Sequence, residues 1–145
     1  MPRIYVSAVI DAPVERVWAT ARDFNGHRDW HPVIADSTIE DGLRSDTVGC
    51  VRNFGIKGAG RLREQLVSFS DRDHSYTYTI LESPLPLTGY VATFRLTPVT
   101  EGNRCFGEWW AEFDCAPEDL PGLREQVGRN TFAAGFEALA RSLRD

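Results

Sequence analysis

Between residues 36 and 115 the chain offers no long helical period. It reads instead as short runs that alternate apolar and polar residues, "STIE", "VGCVRNFGI", "GRLREQLVSF", "HSYTYTIL", "GYVATFRLTP" and "RCFGEWWAEFD", parted by turn clusters such as "EDG", "SDRD" and "TEGN". Turns this short join antiparallel neighbours, so the middle of the chain is expected to be a six-stranded meander. A sheet with one apolar face needs a cover. The tail from 117 to 144 supplies one: Arg129, Ala133, Glu137, Arg141 and Arg144 fall on one side of a helical wheel, and a broad apolar arc lies opposite. One long helix packed across a curved sheet is the expectation.

The N-terminal segment adds a seventh strand. Ile4, Val6, Ala8 and Ile10 share one face of residues 3 to 10, with Tyr5, Ser7 and Val9 on the other. Pro13 and Glu15 suit a helix start, and Val14, Val17, Trp18, Ala21 and Phe24 recur on one stripe of that helix. In "NGHRDWHP" a turn signal and the stop at Pro32 leave room for one short helical turn. The chain of 145 residues, 42% of them hydrophobic, suits one domain over 1–145 with a real core. With 16 basic and 21 acidic residues and no long basic run, a nucleic-acid or anionic-membrane partner is not expected. Cys50, Cys105 and Cys115 form no CxxC pair, and their odd number fits reduced thiols. With no signal-peptide core or spanning helix at the start, the expected location is cytoplasmic.

Two departures from the pattern point to a site. Helical angles place Val127, Gly128, Thr131, Phe132, Gly135, Ala138, Leu139 and Ser142 on the inner arc, whose centre is small. A glycine inside a helix costs about 1 kcal/mol relative to alanine, so Gly128 and Gly135 answer either to close packing on the sheet or to space for a ligand. The strands juxtapose large and small residues in the same way: Tyr76, Tyr78 and Ile80 share a face, as do Tyr90, Ala92, Phe94 and Leu96, and as do Gly107, Trp109, Ala111 and Phe113. Within the apolar parity sets sit two charges, Glu64 between Leu62 and Leu66, and Arg52 between Cys50 and Phe54. They pair with each other, reach solvent or meet a polar ligand group, and mutual pairing is the favoured reading.

The phrases "DAPVERVW", "DF" and "WHP", then "VGCVRNF", "REQLVSFSD", "YTYTILESPLPLTGYVATFRL" and "WWAEFD", taken in this order and spacing, resemble the START-like or Bet v1-like (SRPBCC) superfamily. The nearest branch is that of the bacterial polyketide cyclase/dehydrase and lipid-transport proteins, and the resemblance covers essentially the whole chain. It implies an α+β helix-grip fold: a seven-stranded antiparallel sheet wrapped around the long C-terminal helix, two short helices after strand one, and a hydrophobic cavity between sheet and helix. Plant abscisic-acid receptors are similar to it at a distance and guard that cavity with two loops, whose counterparts here are "KGAG" at 57 to 60 and "SPLPL" at 83 to 87. Both loops depart from the receptors, so hormone binding does not carry over. The resemblance places Glu64, Tyr78, Tyr90 and Trp109 on the cavity wall. Together with parity, it makes Arg52, Phe54, Glu64, Tyr78, Ile80, Leu85, Tyr90, Trp109, Phe113, Thr131, Phe132 and Gly135 the expected ligand-binding set.

Familiar catalytic signatures are missing. His27 and His31 stand four apart, but no HExxH frame surrounds them and Pro32 ends any helix, so no metal site is expected. His74, in a "SDRDHS" turn, is expected to face solvent. No GxSxG elbow, phosphate loop or cysteine nucleophile signature occurs, and no cofactor is expected. A cyclase or dehydratase would have Glu64, Tyr78, Tyr90, His31 and Arg52 to work with. An apolar cavity with a few orienting polar groups also serves a carrier or sensor, and binding a lipid-, polyketide- or isoprenoid-like molecule is the preferred expectation. A cyclase/dehydratase-type enzyme and a protein-interaction module are the alternatives, and a homodimer is left open.

Overall fold

A computed structural model describes residues 1–144. Seven strands, β1 (Arg3–Ile10), β2 (Ile34–Ile39), β3 (Val51–Ile56), β4 (Gly60–Ser70), β5 (Ser75–Glu82), β6 (Thr88–Val99) and β7 (Arg104–Asp114), form one sheet in the order β1-β7-β6-β5-β4-β3-β2. Every neighbouring pair is antiparallel. Between β1 and β2 lie two short helices, α1 (Val14–Ala21) and α2 (His27–Trp30), as the turn and proline signals require.

Strand parity holds where it matters for the site. Trp109 is buried and Trp110 lies on the other face, stacked on Tyr5. Arg52 and Glu64 both point inward, each 4% exposed. In β4 the alternation breaks, because a bulge between Leu66 and Ser68 lets Phe69 turn inward against Trp18, off the parity of Leu62, Glu64 and Leu66. A second irregularity, between Arg63 and Glu64, adjoins the inward carboxylate. Such bulges bend a sheet, and here the sheet curls around the C-terminal helix.

That helix is continuous but not uniform. After a 3-10 turn over Pro117–Asp119, it runs as α3 (Leu120–Leu123), a π segment (Arg124–Ala133) and α4 (Ala134–Ser142). The π turn carries more residues than an α turn, so it rotates the last turns of the helix away from an ideal wheel. Hence Ser142, expected inside, is exposed, while Phe136 and Leu143, absent from the expected arc, are buried; Leu123, before the π segment and also outside that arc, is buried too. Arg129, Glu137, Arg141 and Arg144 do face outward, with Ala133 half-buried. His74 also differs from expectation: it is half-buried with its ring edge against Trp18, 5.8 Å between centroids.

Candidate functional site

Between the inner faces of β2 to β7, α2 and the π segment lies a cavity of about 50 Å³. Val33, Ile34, Phe54, Ile56, Leu62, Ile80, Leu85 and Val127 make its walls apolar. The residues with polar side-chain groups that border it are His27, His31, Ser37, Arg52, Glu64, Tyr78, Tyr90, Trp109, Gln126 and Thr131. A cavity known to take up benzene measures about 150 Å³. In this conformation, therefore, even a small ring needs the walls to give way. Leu85 brings the 83 to 87 loop to the cavity, and this loop meets the 57 to 60 loop where Pro84 lies 3.6 Å from the Cβ position of Gly60.

The polar centre is built around Arg52. Its Nε and one terminal nitrogen donate to Glu64 Oε1 at 2.9 and 2.6 Å, and its other terminal nitrogen donates to Phe24 O and to His27 Nδ1, both at 3.0 Å. The guanidinium plane is covered by the rings of Phe24 at 3.9 Å and Tyr78 at 4.8 Å. Because a guanidinium only donates, His27 Nδ1 is an acceptor. Its Nε2 then carries the proton and faces Tyr76 Oη at 3.2 Å. His31 is fixed in the same tautomer, since Val33 N–H donates to Nδ1 and Nε2–H donates to Thr131 O at 2.7 Å. Both imidazoles are neutral: burial, helped by the Arg52 charge, holds His27 well below the usual histidine range, and burial lowers His31.

Burial pushes the Glu64 carboxyl up, with the Arg52 charge pulling the other way. Burial likewise holds the Tyr76, Tyr78 and Tyr90 phenols above their ordinary value, so all three keep their protons. Trp109 Nε1 donates to Tyr78 Oη at 3.0 Å. Both Arg52 contacts fall on Glu64 Oε1, and among the described residues none donates to Oε2.

Of the twelve expected site residues, Arg52, Phe54, Glu64, Tyr78, Ile80, Leu85, Tyr90, Trp109 and Thr131 border the cavity. Phe113, Phe132 and Gly135 do not. Phe132 is stacked flat on the far side of Trp109, 4.7 Å between centroids, and Phe113 is stacked on Tyr90. At Gly135 a Cβ would come within 2.9 Å of Trp109 Cζ3 and 3.1 Å of His31, so this glycine is needed for close packing, not as open space. Sequence reasoning missed His27 and Tyr76 as members of the polar centre. His27 figured only as a metal candidate, although the histidine and aromatic cluster before Pro32 was the available signal.

A curved antiparallel sheet gripping a long helix over an internal cavity defines the Bet v1-like helix-grip class. The family model described as "polyketide cyclase / dehydrase and lipid transport" matches residues 1–145, and the chain belongs to that family. A solution structure from Thermobifida fusca is 32% identical with a TM-score of 0.88, covering 98% of this chain and 93% of that one. A crystal structure from Bacillus thuringiensis is 28% identical with a TM-score of 0.85, covering 99% and 100%. Norcoclaurine synthase from Thalictrum flavum, solved in complex with dopamine and hydroxybenzaldehyde, is 16% identical with a TM-score of 0.77 over 98% of this chain and 86% of that one, which is a likeness of fold. No functionally curated protein matches the chain.

Proposed function

We propose that this chain binds a compact, largely hydrophobic molecule inside the helix-grip cavity, as a carrier or sensor. The observation that carries this reading is the division of the cavity into apolar walls and one buried polar centre at Arg52 and Glu64, which suits an apolar body with a single polar group. Membership of a family described by lipid transport supports it. The small volume favours a ring-sized ligand, or one that opens the cavity on entry, over an extended chain already accommodated. Three unpaired cysteines support a reducing, cytoplasmic setting, and the net charge of −5 argues against nucleic acid as partner. The family match over residues 1–145 supports a single domain. Native mass spectrometry of protein purified from its own host is the test. A co-purifying small molecule, released on unfolding, is the expected result; bare protein that also fails to brighten a fluorescent hydrophobic probe would count against the reading.

A cyclase or dehydratase is the second reading, favoured by the Glu64 carboxyl, which burial pushes up and which borders the cavity. Catalysis in this fold has a precedent in the synthase from Thalictrum flavum. Turnover of the co-purified molecule, abolished by Glu64→Gln, would support the enzyme; release of the molecule unchanged supports the carrier.

A further inference from the structure

Resting on the ligand-cavity reading, we infer that the polar group of the bound molecule is a neutral hydroxyl, an alcohol or phenol that donates its proton to Glu64 Oε2. The choice rests on which groups at the polar centre are still open. Arg52 cannot receive an anion: four of its five N–H groups are engaged by Glu64 Oε1, Phe24 O and His27 Nδ1, and aromatic rings cover its plane. His27 and His31 are neutral, with their ring nitrogens held by protein partners. Glu64, only 4% exposed and bordering the cavity, has an oxygen that receives no hydrogen bond from the described residues. Oε2 is not sealed off as a buried unpartnered atom, so it is accessible, and a ligand O–H can supply the donor that no described residue gives it.

The alternatives fail on charge. A carboxylate or phosphate would stand against Glu64, while Arg52, the one Arg or Lys among the described residues that border the cavity, is already engaged. An ammonium would add a second positive charge beside Arg52 inside apolar walls. A hydroxyl leaves the Arg52–Glu64 pair neutral as a unit, and it can also accept from a protonated phenol, of which Tyr78 and Tyr90 border the same cavity. The ligand class is thus a compact apolar alcohol or phenol, with fatty acids and acyl phosphates disfavoured.

The test compares toluene, phenol and benzoate by NMR titration of the ¹⁵N-labelled full chain. All three share one ring, so the work of opening the walls cancels in the comparison. Phenol is expected to bind at least tenfold tighter than toluene, with benzoate weaker than both. Glu64→Gln keeps its carbonyl toward Arg52 and turns an amide N–H₂ into the cavity, so the preference for phenol over benzoate should shrink or invert. If E64Q does not fold, the paired variant Arg52→Met with Glu64→Leu should take up toluene at least as well as phenol. Toluene equal to phenol in the wild type, or benzoate as tight as phenol, overturns the hydroxyl assignment while leaving the cavity standing. Absence of cavity shifts with all three overturns the ligand-cavity reading itself.

Discussion

Arg52 is the residue on which most of the interior depends. It ties Glu64 on β4, the Phe24 carbonyl after α1 and His27 on α2 into one buried cluster. The raised Glu64 carboxyl says that burial outweighs the attraction of Arg52, which is the usual balance for an ion pair taken out of water. Urea denaturation should separate the pair's two contributions. Glu64→Gln leaves a buried guanidinium without its counter-charge and should cost about 3–5 kcal/mol. Replacing both members, Arg52→Met with Glu64→Leu, should restore most of that loss or exceed the wild type, since the desolvation penalty goes with the charges. Gly135 gives a separate residue-scale expectation. Alanine there gains up to about 1 kcal/mol of helix propensity. Its methyl, however, meets Trp109 at 2.9 Å and His31 at 3.1 Å, and overpacking of this kind costs about 1–3 kcal/mol, so Gly135→Ala should lower stability.

At the scale of elements, the π segment is the least regular, and it borders the cavity through Gln126, Val127 and Thr131. Two of its hydrogen bonds involve Thr131: Thr131 Oγ1 donates to Gln126 O at 2.9 Å, and His31 Nε2–H, just past the end of α2, donates to Thr131 O. His31→Phe keeps a ring but loses the second bond. It should cost about 1–3 kcal/mol. Amide exchange should quicken across 124 to 133 while the β6–β7 pair stays protected, and uniform loss of protection would show that His31 supports the whole core instead. Neither the π segment nor the β4 bulge was legible in the sequence, for one reason. Both insert a residue into a repeat, and a repeat read from side-chain polarity assumes a constant period. The wheel therefore placed Ser142 inside and missed Phe136, and the alternation missed Phe69. The strands themselves were legible because each buries one face, which is why Arg52 and Glu64 stood out against their apolar neighbours. His27 was not, because its role depends on a four-residue helix meeting β3 and β5, a contact no local pattern records.

The whole molecule should respond to acid in two stages. His27 and His31 are neutral in the fold, lowered by burial and by the Arg52 charge, whereas an unfolded histidine titrates near about 6.5. A depressed histidine contributes stability that is complete above the unfolded value. That contribution is lost as pH falls below it, because the unfolded chain binds protons the folded one refuses. Two such groups give a slope of at most about 2.7 kcal/mol per pH unit below about 6.5. A second stage sets in toward pH 4 and below. Asp36, Glu40, Asp71 and Glu108, lowered chiefly by hydrogen bonds from Arg61, Arg63, Arg22 and Tyr5 respectively, are then protonated more readily in the unfolded chain than in the fold. Glu64 works in the opposite sense: its raised carboxyl favours the fold at low pH, and this contribution is lost as pH rises through its folded value. Urea melts at half-unit steps from pH 7.5 to 4.0 resolve the stages. His27→Gln can still accept from Arg52 and donate toward Tyr76, so it should flatten roughly half of the upper stage and leave the lower one in place. A wild-type stability that stays level from pH 7 to 5 would mean that the two imidazoles already share their protons with the fold, and that the tautomers deduced from Arg52 and Val33 are wrong.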